Sequence, residues 1–108
     1  MVTDIVPFDK REGSLWLDGK FVPWADAKIH VLTHGLHYAS SVFEGERMYS
    51  GRIYKLEEHT ARLFKSAQIL DMKIPFSAKE ISDASIKACE VQGFKDAYVR
   101  PVVWRGSE

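Results

Sequence analysis

The chemistry in this sequence rests mainly on arginines placed next to aromatic residues. Arg62 lies at the edge of the apolar stripe of a helical segment. A guanidinium there offers a permanent charge and a planar fork suited to a phosphate or carboxylate. The same position suits an arginine that lays its stem on the core and keeps its head in water. Tyr98 and Arg100 stand two apart in a strand-like run, so they share a face with Val102 and Trp104. If that face is covered, Arg100 needs an anion, which a ligand would supply. If it is open, Pro101 fits an edge strand with a solvated Arg100. Arg47 poses the same alternative: read as extended, Phe43, Gly45, Arg47 and Tyr49 fall on one face. Gly45 leaves a side-chain-free position there, open either to ordinary packing or to the approach of a ligand.

Other chemistries are poorly supported. His34 and His37 are three apart and share a helix face, but no cysteine is near, and neither they nor His30 and His59 have acidic neighbours at ligand spacing; no metal site is expected. The phosphate-loop, dinucleotide and serine-hydrolase glycine signatures are absent. Fifteen basic and fifteen acidic residues cancel without a block of like charge, which argues against nucleic acid or an anionic membrane as partner. The apolar runs are too short for a membrane span, and the N-terminus lacks a signal-peptide core. The single cysteine, Cys89, has no internal disulfide partner and is expected to be a partly buried, inert thiol in a cytoplasmic protein. At 108 residues, 45% of them hydrophobic, the chain is at most one globular domain.

The elements that position these residues follow from pattern. Residues 1–14 show no sustained period and are expected to be a loosely held arm, with the domain proper over 15–108. Leu15–Leu17 and Lys20–Val22 flank Asp18-Gly19, a strong hairpin signal because both central residues of a type I′ turn take positive φ. Trp24–His30 reads as a loop, or as a short helical turn followed by a strand. Thr33 is the expected N-cap of a helix with Leu32, Leu36, Ala39 and Val42 or Phe43 on its stripe, closed by Gly45 in the left-handed conformation. A second hairpin spans Glu46–Tyr49 and Arg52–Leu56 around Ser50-Gly51. A helix with Leu56, Leu63, Phe64, Ala67 and Leu70 on one side follows, broken at Ile74-Pro75. Ser77 and Glu80 form a capping box for the next helix, whose stripe is Ile81, Ala84, Ala88 and Val91 and whose end is Gly93. A final strand covers Ala97–Trp104. The order predicts an α+β domain with a small, mostly antiparallel sheet and helices packed on it.

Three motifs occur here in one order: His37-Tyr38 with Ser40-Ser41-Val42-Phe43-Glu44-Gly45 and Arg47; Glu58-His59 with Arg62-Leu63; and Ala97-Tyr98-Val99-Arg100-Pro101. From Leu15 onward, this set resembles the N-terminal small domain of branched-chain amino acid aminotransferases, fold type IV enzymes that use pyridoxal phosphate. D-amino acid aminotransferases and aminodeoxychorismate lyases share the fold; the Phe43-Glu44-Gly45-x-Arg47 and Tyr98-x-Arg100-Pro101 combination resembles the branched-chain branch. A non-catalytic binding or interaction module on the same fold is the reading from another class. The resemblance implies that Arg62 holds the cofactor phosphate. It implies that Phe43 and Tyr38 line the apolar side-chain pocket, Tyr38 from a neighbouring subunit of a homo-oligomer, and that Gly45 keeps the wall open. By the same resemblance Tyr98 donates its hydroxyl to the substrate α-carboxylate, Arg100 takes the distal carboxylate of glutamate or 2-oxoglutarate, and Arg47 supports the wall. The implied substrates are leucine, isoleucine, valine and their 2-oxo acids.

The sequence departs from the family at Ala39, where many relatives carry glycine, and at Glu46, where many carry an apolar residue; both bear on packing or specificity. The family's Schiff-base lysine lies in a C-terminal domain, and no lysine here stands in a matching context. The chain is therefore expected to be the first part of a longer protein and inactive by itself.

Overall fold

The computed structural model describes residues 5–108. Residues 1–4, the start of the expected arm, lie outside the described residues. From Ile5 to Gly13 the chain is exposed and makes one 3₁₀ turn, Phe8–Lys10. Trp24 donates its backbone N–H to Gly13 and its indole N–H to Phe8 O, which fastens this stretch beside the first hairpin.

Strands β1 (Ser14–Leu17) and β2 (Lys20–Pro23) pair antiparallel in the expected register, Leu17 opposite Lys20. Asp18 and Gly19 take φ of 52° and 99°, the two positive values a type I′ turn requires. The ambiguous stretch that follows is a 3₁₀ turn, Trp24–Asp26, with no strand after it.

The expected long helix is replaced by a short one, α1 (His34–Tyr38), and a strand, β3 (Ser41–Phe43). The residue that closes the helix in the left-handed region is Ala39, at φ 57° and ψ 26°, not Gly45. Tertiary pairing explains the difference. The N–H groups of His34 and Gly35, unpaired within any helix start, donate to Gly106 O and Arg105 O at 3.0 and 2.9 Å, while β3 pairs with a strand far along the chain. Leu32 and Leu36 remain exposed, so the apparent stripe is not a core face. Thr33 is the N-cap residue, yet its hydroxyl donates to His30 O at 2.6 Å instead of accepting from the helix.

Strand β4 (Glu46–Tyr49) turns through Ser50-Gly51 into β5, which is only Arg52–Ile53. Helix α2 (Leu56–Ile69) buries Thr60, Leu63 and Ala67 and stops before the Ile74-Pro75 break. There the Arg105 guanidinium donates to the free carbonyls of Leu70 and Asp71 at 3.1 and 3.3 Å. The capping box of helix α3 (Ala78–Gln92) is formed reciprocally by Ser77 and Glu80, and Gly93 closes the helix at φ 74°. Its buried line is Ile81, Ser85 and Cys89; Ala84 is only partly covered and Val91 is exposed, because the helix sits about one residue rotated from the expected stripe.

The expected last strand splits at Arg100-Pro101 into β6 (Ala97–Val99) and β7 (Val102–Trp104). Proline has no N–H for a ladder, and the chain changes partner there. β6 pairs with β4, giving the order β5-β4-β6, whereas β7 pairs with β3. All pairings among the described residues are antiparallel, so the α+β class stands, with three small sheets in place of one. Helix α2 packs on β3 and on α3, and α3 packs on β1. The buried apolar residues Met48, Leu63, Ala67, Ile81 and Cys89 form the core between strands and helices. Burial holds the Cys89 thiol above its ordinary pKa, in keeping with an inert cysteine. Among the described residues no helix is long and apolar enough to cross a membrane.

Candidate active site

From Phe43 to Tyr49 the chain alternates strictly: Phe43, Gly45, Arg47 and Tyr49 are exposed, while Glu44, Glu46 and Met48 are buried. Tyr98, Arg100 and Val102 are exposed on the neighbouring strands. Register places Arg47 opposite Tyr98 and Phe43 opposite Val102, so the two exposed sets lie side by side.

Four of the expected residues meet there. The Arg100 guanidinium stacks over the Phe43 ring, 4.3 Å from its centroid, and Arg100 Nε donates to Tyr98 Oη at 3.1 Å. Gly45 is the condition for this arrangement: a Cβ added there would lie 2.9 Å from Tyr98 Oη. The guanidinium is thus exposed and oriented by two aromatic neighbours, neither buried nor free in solvent. It keeps its terminal N–H groups available beside an aromatic ring. Arg47 shares the face, with its guanidinium 6.0 Å from the Tyr49 ring. Tyr38 takes no part in these contacts; its side chain lies against His34 at 4.5 Å between ring centroids, and the residue is 73% exposed.

On the opposite side of the strand, Arg62 is held by Glu44. Nε donates to Oε2 at 2.8 Å and Nη2 to Oε1 at 2.7 Å, a side-on fork. His59, one turn earlier on α2, shares Oε1 through Nδ1 at 2.6 Å; because an ionised carboxylate only accepts, Nδ1 carries the proton. The Arg62 hydrogen bonds hold the Glu44 carboxyl below its ordinary pKa against the opposing effect of burial, with His59 adding to the depression. Glu44 in turn holds the Arg62 pKa above its ordinary value. Arg62 is therefore not merely a stem on the core: its head is engaged, and its end-on edge, Nη1 with the outer hydrogen of Nη2, points away from Glu44.

Glu44 and His59 join Arg62 in a cluster that pattern reading passed over. The signal was available in part. The alternation that turns Phe43 and Gly45 outward turns Glu44 inward, a buried carboxylate needs a cation, and His59 and Arg62 share a helix face. What no local pattern supplies is the docking of α2 against β3 that brings them together. The other histidines make local contacts: His34 Nδ1 pairs with Ser40 Oγ at 2.6 Å, and His37 Nε2 with Val31 O at 2.7 Å.

A strand wall combining an apolar ring, a glycine gap and an oriented guanidinium, backed by a carboxylate-held arginine, is a candidate site for a small-molecule anion on an α+β scaffold. Residues 41–108 match the family model for amino-transferase class IV, and the chain belongs to that family. It is 52% identical over 94 residues to a probable branched-chain-amino-acid aminotransferase of Rickettsia conorii, covering 87% of this chain and 32% of that protein. To the branched-chain-amino-acid aminotransferase of Pseudomonas aeruginosa it is 48% identical over 102 residues, covering 91% of this chain and 33% of that protein. The fold superposes on a T.th. branched-chain amino acid aminotransferase with a TM-score of 0.87 at 40% identity, covering 91% of this chain and 34% of that one. That enzyme has been solved with pyridoxamine 5′-phosphate, with N-(5′-phosphopyridoxyl)-L-glutamate and with 4-methylvaleric acid. The chain spans about a third of the length of the curated relatives it matches.

Proposed function

We propose that the full-length protein is an aminotransferase that uses pyridoxal phosphate to move the amino group between leucine, isoleucine or valine and 2-oxoglutarate. In this reading residues 15–108 form its N-terminal small domain, residues 1–14 are an arm before it, and the Schiff-base lysine belongs to a C-terminal domain. The observation that carries the reading is the Arg100 guanidinium stacked on Phe43 and hydrogen-bonded to Tyr98, beside the opening at Gly45. An enzyme of this specificity must accept an aliphatic side chain and a carboxylate in one pocket. A guanidinium flattened against an aromatic ring meets both demands, since its plane and the ring give apolar contact and its outer N–H groups accept a charge. Binding of N-(5′-phosphopyridoxyl)-L-glutamate and 4-methylvaleric acid to the T.th. relative supports the same pair of substrates.

The donor set fits the cofactor. The Arg62 side chain is 67% exposed, and its uncommitted end-on edge matches two oxygens of a phosphate. Bound pyridoxal phosphate would supply the electron sink for amino transfer. This chain's residues would do the rest on the substrate side. Arg62 anchors the phosphate, Tyr98 Oη donates to the α-carboxylate, Phe43 packs against the aliphatic side chain, and Arg100 pairs with a distal carboxylate. Arg47 supports the wall from the same face. Tyr38, exposed on α1, completes the pocket of a neighbouring subunit in a homo-oligomer, and a cytoplasmic location goes with these substrates.

The test is amino transfer by the full-length protein loaded with pyridoxal phosphate. Branched-chain L-amino acids with 2-oxoglutarate should yield L-glutamate; turnover confined to D-amino acids would overturn the reading. Arg62→Ala should raise the dissociation constant for pyridoxal phosphate by roughly ten- to a hundredfold, the range of one charge-assisted contact. Unchanged affinity in an equilibrium titration would remove Arg62 from the cofactor site.

A further inference from the structure

The residue that joins the phosphate side of the site to the substrate side is Glu44. It is 3% exposed, and both its oxygens are engaged, Oε2 by Arg62 Nε and Oε1 by Arg62 Nη2 and His59 Nδ1. Its two sequence neighbours, Phe43 and Gly45, belong to the substrate wall. Its backbone N–H donates to Pro101 O at 3.1 Å, one residue beyond Arg100. One residue therefore touches the proposed phosphate anchor through its side chain and both strands of the substrate wall through its backbone. Arg62 without this fork would be a long, largely exposed side chain with much rotamer entropy to lose on binding an anion.

We propose that Glu44, supported by His59, is a positioning residue for the cofactor phosphate: it fixes the Arg62 fork side-on, so that the end-on edge is held in one orientation and left free for the phosphate. The inference rests on the reading of Arg62 as the phosphate anchor. It makes a prediction of sign that simple charge counting reverses. Glu44 is an anion placed behind an anion-binding arginine, so by Coulomb attraction alone its neutralisation should strengthen phosphate binding. Preorganisation demands the opposite, because a guanidinium released from its fork must be ordered again at each binding event.

The experiment is a double-mutant cycle in the full-length protein, titrated separately with pyridoxal phosphate and with pyridoxal, which lacks the phosphate. Glu44→Gln should weaken pyridoxal phosphate by about tenfold, as expected for loss of a charged hydrogen-bond partner, and leave pyridoxal unchanged. In the Arg62→Ala background the same substitution should add no further loss. The ³¹P resonance of the bound cofactor should move in Glu44→Gln, reporting a changed phosphate environment apart from activity. Glu44→Asp, which keeps the charge but withdraws the carboxylate by one methylene, should give the same phosphate-selective loss and covers a folding failure of the glutamine variant. Unchanged or tighter pyridoxal phosphate binding in either folded variant, with the Arg62→Ala loss intact, would overturn the positioning role and leave the anchor standing. Equal losses for pyridoxal and pyridoxal phosphate would also overturn it, by showing a general structural effect. An Arg62→Ala variant that binds pyridoxal phosphate normally would instead remove the anchor itself.

Discussion

Glu44 and Glu46 are two residues apart, face the same way and are both buried, yet their carboxyls have opposite fates. Glu44 is surrounded by donors and stays ionised. Glu46 is 1% exposed, and neither of its oxygens has a hydrogen-bond partner among the described residues. Burial pushes its pKa up to about 7, with the Glu44 charge adding to the rise and His59 on α2 opposing it. Cys89 on α3 also faces this carboxyl, whose charge contributes to the raised thiol pKa. The sign for stability follows directly. The folded protein holds the Glu46 proton up to about pH 7, whereas the unfolded chain releases it near 4.5, so Glu46 costs stability progressively as pH rises between those values. Glu46→Leu supplies an apolar side chain of similar size and removes the titration. Its stability relative to the wild type should therefore rise by about 3 kcal/mol between pH 4.5 and pH 8, the free-energy equivalent of that shift. Urea unfolding at both pH values gives the difference, and parallel profiles for variant and wild type would show that Glu46 is solvated or paired after all.

At the scale of elements, the outcome depends on whether local chemistry or a distant partner sets the boundary. The turn at Asp18-Gly19, the capping box of Ser77 and Glu80 and the Gly93 terminus are legible in the sequence because each is settled within four residues. The span of α1 is not, because its start is held by the carbonyls of Arg105 and Gly106 and the residues after it pair with β7; nor is the split at Pro101, where the strand changes partner. The candidate site divides the same way. Period-two alternation exposes the shared face of Tyr98 and Arg100 and the gap at Gly45, while the Glu44–Arg62–His59 cluster requires the helix to be seated on the strand. Ala39 shows the cost of such a tertiary constraint, since a non-glycine residue in the left-handed region is strained by about 1 kcal/mol. Ala39→Gly should recover about 1 kcal/mol less the entropy glycine gains when unfolded, a net stabilisation of a few tenths. Differential scanning calorimetry of the full-length pair should show a small rise in Tm with unaltered cofactor affinity. A clear fall would mean that the Ala39 methyl packs against something more valuable than the strain it carries.

For the molecule as a whole, residues 97–106 act as the tie between sequence-distant parts. They supply β6 to β4 and β7 to β3, carbonyls to the start of α1 and the Arg105 guanidinium to the end of α2. Arg100 sits at the one point in this segment where the ladder is interrupted, so its side chain is placed by two different sheets at once. Under the proposed function, it would be the residue through which the assembled wall distinguishes its substrates. Glutamate and 2-oxoglutarate bring a second carboxylate that must replace lost water with an ionic partner; leucine and its 2-oxo acid bring only a hydrocarbon. Arg100→Leu keeps a side chain able to lie on Phe43 and removes the charge and the donor to Tyr98. Loss of the ionic contact should lower kcat/KM for the dicarboxylates by roughly 1.5–3 kcal/mol, or ten- to a hundredfold. The branched-chain half-reaction should change little or improve, because an apolar substrate gains a leucine neighbour in place of a cation. Single-turnover measurement of the two half-reactions separates the cases without interference from product release. Equal losses in both would place Arg100 with the cofactor or the fold, and no loss in either would return it to a solvated position on the strand.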